Sequence, residues 1–138
     1  MSVNKVLGAS GIHHVALRAR DFDKAVKFYT ETIGLTTAAA WGAAPKRAIL
    51  LDTGDGSCLE IFEKPDLKPA SDDAVIVHVA LRTSDTDAAI ERVRAAGCRI
   101  SVEPLNADLA AKPKPLSVRI GFCIGPDNVQ IEFFQTRE

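Results

Sequence analysis

The pentapeptide His-Val-Ala-Leu-Arg occurs at residues 14–18 and again, letter for letter, at residues 78–82, an offset of 64 positions. Later in the chain the offset grows to 72, where Leu-Glu-Ile-Phe at residues 59–62 corresponds to Ile-Glu-Phe-Phe at residues 131–134. Similarity at a fixed spacing indicates that a supersecondary unit has been duplicated. The chain is therefore predicted to contain two copies of one unit.

Each copy predicts the same order of elements: a strand, a helix and three more strands. The first strands are apolar, partly alternating runs at residues 12–18 and 75–82. A helix follows each run, capped by Asp21 in the first copy and by Ser84 or Asp85 in the second, and ended by a glycine. The remaining strands are expected near residues 35–41, 47–52 and 57–62, and near residues 98–103, 116–124 and 129–135.

The repeat predicts an α+β fold of two tandem βαβββ modules that together form one domain. The first module covers residues 11–64, a proline-containing linker covers residues 65–74, and the second module covers residues 75–136. The segment 104–115 is longer than its counterpart in the first copy and holds three prolines. It is expected to be a loop, either a bare connection or a lid over a cavity.

Composition argues against several classes of function. The 17 basic and 18 acidic residues leave a net charge of -1 without a long run of either sign, so no nucleic-acid-binding face is expected. No apolar stretch approaches the roughly 18 residues of a membrane span, and residues 1–10 lack the apolar core of a secretory signal. The three cysteines form no Cys-x-x-Cys pair, which favours reduced thiols and a cytoplasmic protein.

Four residues of metal-ligand type occupy equivalent positions in the two copies. His14 and His78 lie in the first strands, and Glu60 and Glu132 lie in the last strands. Each glutamate is flanked by apolar residues, where an unpaired charge is unfavourable. A divalent ion would satisfy the carboxylates and the imidazoles together. The sequence therefore predicts one divalent-metal site, to which each copy contributes one histidine and one glutamate.

The mixed histidine and carboxylate ligand set suits Zn, Ni, Co, Mn or Fe(II) and does not choose among them. A six-coordinate ion would keep two positions for water or substrate, whereas four-coordinate zinc would have the closed shell of a structural site. The neighbouring His13 is not predicted to be a ligand, because Val77 is its counterpart. Adjacent strand residues point to opposite faces, so His13 is expected to point away from the site.

These motifs resemble the vicinal oxygen chelate superfamily, which includes glyoxalase I, methylmalonyl-CoA epimerase, extradiol dioxygenases, and bleomycin- and fosfomycin-resistance proteins. The resemblance covers about residues 11–136. Its most specific parts are His-His-Val-Ala-Leu-Arg at residues 13–18, Phe-Tyr and Ile-Gly-Leu within residues 28–35, and Gly-Pro-Asp-Asn-Val-Gln-Ile-Glu at residues 125–132. It implies a curved mixed sheet around the metal, a small-molecule substrate, and a homodimer whose sites can combine modules from two subunits.

The ligand pattern is most similar to that of glyoxalase I, which implies a lyase or isomerase. There a metal-bound hemithioacetal of methylglyoxal and glutathione undergoes proton transfer between adjacent carbons, with a glutamate ligand as the base. The resemblance implies that Glu132 or Glu60 is that base and that Arg18 binds a substrate carboxylate. Lys64 stands where glyoxalase I has an asparagine that contacts glutathione, which argues against glutathione dependence.

Two further arginines are candidate substrate-binding residues. Arg47 and Arg119 each lie 13 residues before the glutamate of their own copy. Whether they face that glutamate depends on the length of the turn that joins the strands.

Three functions are compatible with this sequence. The first is a metal-dependent lyase or isomerase of the glyoxalase I type. The second is a metal-dependent epimerase or an extradiol dioxygenase on the same fold, and the third is a non-catalytic protein that binds a small molecule.

Overall fold

The structure is a computed structural model that describes residues 5–6, 12–69 and 76–137. Residue 75, where the first strand of the second copy was predicted to begin, lies outside the described residues. Within them, neither helix is long and apolar enough to span a membrane.

The chain divides into two compact units, residues 1–67 and residues 68–138. The division falls inside the segment 65–74 that was predicted as a linker. Each unit has its own four-stranded sheet and its own helix, in the order strand, helix and three strands.

The first unit forms a mixed sheet in the order β1-β4-β3-β2. Strand β1 is parallel to β4, while β3 is antiparallel to both β4 and β2. The helix α1 continues directly into a π-helical turn before the second strand. The elements are β1 (His14–Ala19), α1 (Phe22–Lys27), the π-helical turn (Phe28–Thr32), β2 (Thr36–Trp41), β3 (Ala48–Asp52) and β4 (Cys58–Glu63).

The second unit repeats this topology, with the sheet order β5-β8-β7-β6 and a parallel β5–β8 pair. The α+β fold of tandem βαβββ modules that the repeat predicts is thereby confirmed. The elements are β5 (Val79–Arg82), α2 (Thr86–Ala95), β6 (Arg99–Leu109), β7 (Leu116–Ile124) and β8 (Gln130–Thr136).

Helix starts and turns follow the local signals in the sequence. The Asp21 carboxylate accepts a hydrogen bond from the backbone N–H three residues on, at 3.0 Å, and Asp85 does the same in the second unit. These bonds satisfy amide groups that the first helical turn leaves without a partner. Between β7 and β8, Asp127 and Asn128 adopt positive φ, which residues of this type tolerate in tight turns.

One face of each sheet is covered by its helix and forms the core. In the first unit the core side chains include Ala25 on α1 with Leu51 and Ile61 on the sheet, exposed by at most 1%. In the second unit Ile90 on α2 packs against Gly121 of β7. Because strand side chains alternate between faces, the residues between these core positions point to the opposite face. This face is not covered by the helix of its own unit and is called the uncovered face.

The segment 104–115 differs from the predicted loop, because its first part is a strand. Strand β6 extends to Leu109 and pairs with β7 through that residue. The register shifts between Val102 and Leu105, which is where Pro104 lies. Proline donates no ladder hydrogen bond and is accommodated at bulges and on edge strands, and β6 is an edge strand in its sheet. The prediction of a loop is therefore wrong for residues 104–109.

Candidate metal-binding site

The first histidine and glutamate lie side by side on the uncovered face of the first unit. Strand register sets His14 beside Cys58, and Ala16 beside Glu60, in the parallel β1–β4 pair. Side chains at paired positions share a face, so the imidazole of His14 and the carboxylate of Glu60 meet diagonally. The His14 Nε2 atom is 3.7 Å from Glu60 Oε1. The glutamate side chain is only 12% exposed, so it needs a partner.

The second unit repeats this arrangement more tightly. His78 directly precedes β5, and Ala80 is paired with Glu132 of β8. The His78 Nε2 atom lies 3.0 Å from Glu132 Oε2, and the carboxylate is 9% exposed. The ring of Phe122 packs edge-on against the His78 ring, with 5.5 Å between centroids. This contact limits the rotation of the His78 imidazole, so its Nε2 atom stays beside Glu132.

Both pairs fit the chemistry of divalent-metal ligands. Two ligands that are each about 2.1 Å from one ion lie roughly 3.0 Å apart at a right angle and roughly 3.4 Å apart at a tetrahedral angle. The observed separations of 3.0 Å and 3.7 Å bracket this range. Across the described residues, His, Cys, Asp and Glu side chains do not gather in groups of three or more that could hold an ion. Each unit thus holds one pair of residues of metal-ligand type.

His13 does not follow the alternation that predicts it on the opposite face. Its Nδ1 atom is 2.9 Å from Nδ1 of His14, and the two rings meet at 85°. His13 precedes the first residue of β1, so the pleat does not fix its direction. If His14 binds a metal through Nε2, its Nδ1–H is free to donate to His13, the type of second contact that orients ligand histidines.

Arg18 lies on the same face as the first His–Glu pair. It follows His14 by four residues in a strand and is paired with Phe62, which lies two residues after Glu60. Its side chain is exposed. This position agrees with the substrate-binding role that the family resemblance implies.

Arg47 and Arg119 lie on the helix-covered face, away from the His–Glu pair of their own unit. Glu60 is paired with Leu50, so Arg47, three residues before Leu50, points to the opposite side. Glu132 is paired with Phe122, and Arg119 is likewise an odd number of residues away. Their predicted contact with substrate therefore has no geometric support within either unit.

Each of these two arginines instead connects its sheet to its helix. Arg47 donates to Asp23 of α1 and to Glu63 of β4, and its guanidinium lies 4.7 Å from the centre of the Phe22 ring. Hydrogen bonds from Arg47 hold the pKa of Glu63 below its usual range. These contacts identify Arg47 as a structural ion-pair residue.

Arg119 occupies the equivalent position in the second unit and pairs with Asp87 of α2, whose pKa it lowers. It also donates to Asn106 of β6. The repeat contained the signal for this arrangement. Asp23 and Asp87 correspond at the same offset of 64, just as the two arginines correspond at 72.

Lys64 is paired within its own segment, and the cysteines lie within the two units as thiols. The Lys64 ammonium group is 3.0 Å from the Asp66 carboxylate in its own segment. All three cysteines are free thiols. Burial raises the pKa of Cys123 to about 12, which keeps this thiol protonated and a poor ligand. Burial also raises the pKa of Cys58, the cysteine beside His14.

Comparison with known proteins gives the family. The model of the Glyoxalase/Bleomycin resistance protein/Dioxygenase superfamily matches residues 11–133. A 2-epi-5-epi-valiolone epimerase from Actinomyces sp. is 33% identical over 126 residues, which cover 75% of this chain and 69% of the epimerase. A probable lactoylglutathione lyase from Vibrio parahaemolyticus serotype O3:K6 is 26% identical over 132 residues, covering 92% of this chain and 91% of the lyase.

The fold is also similar to that of TnmS3, an antibiotic-binding protein from Streptomyces sp. CB03234. The TM-score is 0.68 at 23% identity, with 93% of this chain and 97% of that chain covered. The similar proteins thus differ in function while sharing the fold. From the match over nearly its whole length, this chain is a member of the glyoxalase/bleomycin resistance protein/dioxygenase superfamily.

Proposed function

We propose that this protein is a divalent-metal-dependent lyase or isomerase that transfers a proton on a small oxygenated substrate. One ion is held by His14, Glu60, His78 and Glu132. The observation that carries this proposal is the duplicated pair: in each unit an imidazole lies within 3.7 Å of a largely buried carboxylate on the uncovered face of the sheet.

The roles of these residues follow from their chemistry. The ion, when bound, supplies a positive charge that stabilises negative charge developing on the substrate oxygens. One glutamate carboxylate accepts a proton from the substrate carbon and returns it to the neighbouring carbon. His14 is held in position by the β1–β4 pairing, and His78 is held by the ring of Phe122. Glu60 and Glu132 are both largely buried carboxylates beside a histidine, so either one suits the role of the base.

Epimerisation is the second candidate, and the 33% identical epimerase favours it. The same ion and the same carboxylate would serve, with the proton returned to the opposite face of one carbon. Both versions predict proton exchange with solvent. Lys64 is paired with Asp66 and replaces the asparagine that contacts glutathione in glyoxalase I, which argues against glutathione dependence.

The metal site is tested by counting ions. Purified protein is loaded separately with Ni, Co, Zn, Mn and Fe(II), and the bound metal per chain is measured together with its affinity. One ion per chain is expected, and His14→Ala, Glu60→Gln, His78→Ala and Glu132→Gln should each weaken binding at least about tenfold. Two ions per chain, or variants of only one pair having an effect, would contradict the shared ion. Glu31→Gln, an exposed helix position, is the control.

Mixing two variants tests whether the four ligands come from one chain or from two chains of a homodimer. One variant carries His14→Ala with Glu60→Gln, and the other carries His78→Ala with Glu132→Gln. If ligands combine across subunits, mixing restores part of the metal binding that each variant alone has lost. If each chain supplies all four ligands, mixing restores none.

Catalysis is tested with the metal-loaded protein. The glyoxalase I version requires turnover of the methylglyoxal–glutathione adduct with at least one of Ni, Co and Zn, and its absence would remove that version. Loss of substrate proton exchange in deuterated water on Glu60→Gln or Glu132→Gln would identify the base. Oxygen uptake with catechols on the Fe(II)-loaded protein would favour a dioxygenase, and chelator-independent ligand binding would favour a non-catalytic binder.

A further inference from the structure

A second arginine occupies the position in the second unit that Arg18 occupies in the first. Arg82 follows His78 by four residues and is paired with Phe134, which lies two residues after Glu132. An even separation along a strand preserves the face, so Arg82 shares the uncovered face with Glu132. Its side chain is exposed, like that of Arg18.

Several other arginines are paired with carboxylates of their own unit. Arg94 and Arg137, like the helix-facing arginines described above, are paired with carboxylates. Within the described part of each unit, the side chains of Arg18 and Arg82 make no hydrogen bond or ion pair. A guanidinium group presents a planar fork of donors that matches a carboxylate or a phosphate, and it remains charged at any physiological pH.

The spacing suits a group on the substrate and not the ion itself. Arg82 lies one strand over from Glu132 and two residues along, so their Cα atoms are roughly 8 Å apart by strand spacing and rise. The guanidinium group at the end of the Arg82 side chain therefore meets a substrate atom that is several ångströms from Glu132. The same geometry holds for Arg18 and Glu60, because the register of the two parallel pairs is the same.

We propose that Arg82 is a second anion-binding residue, equivalent to Arg18, and that the substrate carries an oxyanion group, a carboxylate or a phosphate, beside the oxygens that bind the metal. This inference rests on the proposed function, because the ion fixes the rest of the substrate.

The test uses three hydroxamates that chelate the metal through the same two oxygens. Acetohydroxamate has no further charge, malonomonohydroxamate carries a carboxylate, and phosphonoacetohydroxamate carries a phosphonate. Their affinities for the Ni-loaded full chain are measured by calorimetry. The wild type is expected to bind at least one charged probe about tenfold or more tightly than acetohydroxamate, and the better probe identifies the anion.

Variants then assign the preference to the arginines. Arg82→Gln and Arg18→Gln should each remove most of it while leaving the affinities for Ni and acetohydroxamate unchanged. Arg92→Gln removes the same charge from α2, on the covered side of the sheet, and should keep the preference. If Arg82→Gln binds the charged probes as well as the wild type, the assignment of Arg82 is wrong.

A metal-free measurement separates this inference from the proposed function. Binding of inorganic pyrophosphate to chelator-treated protein is followed by phosphorus NMR for the same variants. If the protein binds no metal, the proposed function fails. The assignment of Arg82 as an anion-binding residue then stands only if pyrophosphate binds the wild type and Arg92→Gln more tightly than Arg82→Gln. Equal pyrophosphate binding by all of them would overturn it.

Discussion

A close approach between helix and sheet in the second unit predicts the effect of adding a single methyl group. Gly121 of β7 lies under α2, and a Cβ atom built there would be 2.8 Å from Cγ1 and 2.9 Å from Cδ1 of Ile90. Ordinary contact begins near 3.4 Å, so the overlap is roughly 0.6 Å. Ile90 is 0% exposed and has no open space to move into. The Gly121→Ala variant must therefore push the helix or distort the isoleucine.

The expected cost is the difference of two effects. Overpacking a filled core typically costs about 1–3 kcal/mol. Replacing glycine in a strand by alanine recovers about 0.5–1 kcal/mol, because the unfolded chain loses conformational freedom. Gly121→Ala should thus lower the free energy of unfolding by about 1 kcal/mol, and by at most about 2.5 kcal/mol, measured by urea denaturation with circular dichroism. The methyl group lies on the covered face, so metal affinity should not change.

Ile90→Val provides the matched comparison. This change deletes Cδ1, one of the two atoms that the new methyl group would meet. Alone it should cost about 0.5–1.5 kcal/mol, as a small cavity does. Combined with Gly121→Ala it should cost less than the sum of the single changes, since neighbouring substitutions couple. Additive costs, or a Gly121→Ala protein as stable as the wild type, would refute the close packing of α2 on β7.

Three other predictions concern ion pairs and caps. Arg47→Gln should lower the melting temperature more than Arg119→Gln, because the Glu63 partner is 8% exposed whereas the Asp87 partner is 56% exposed, and neither change should alter metal affinity. Since Arg47 depresses the pKa of Glu63, their pairing stabilises the fold fully above the ordinary glutamate pKa; the melting-temperature difference between wild type and Glu63→Gln should close as the pH falls through the lowered pKa. Asp85→Ala should cost about 1 kcal/mol in urea denaturation through loss of the helix cap, while Asp85→Asn should cost little.

The sequence was sufficient to predict the fold because the repeat and the local signals agree. Both copies predict the same strand and helix order, and the capping aspartates and the Asp127–Asn128 turn lie where the backbone requires them. Strand β7 was predicted within its observed bounds, Leu116–Ile124. The extension of β6 was missed because prolines usually end strands, and an edge position with a register shift relaxes that rule.

The candidate site was less predictable, because it depends on register. The two His–Glu pairs follow from the repeat, but the facing of Arg47 and Arg119 depends on which residues pair across the turn before the last strand. The direction of His13 depends on where β1 begins, a boundary that sequence patterns locate only to within a few residues. Whether the two pairs meet at one ion depends on how modules associate, which no local pattern encodes.

The duplicated halves have diverged unevenly, and this bears on how they tolerate exchange. On the uncovered face the copies keep histidine, arginine and glutamate alike. On the helix side, Phe22 lies under the Arg47 guanidinium in one copy. The hydroxyl of its counterpart Thr86 donates to a β7 carbonyl, and the Thr86 backbone amide donates to Gln135 Oε1. Besides the arginine–aspartate pair that both halves share, each half thus holds its helix on the sheet through contacts of its own. A chimaera in which a single one of these residues is exchanged loses the partner of that residue. A chimaera in which all the residues of the helix–sheet contact are exchanged together keeps the partners paired.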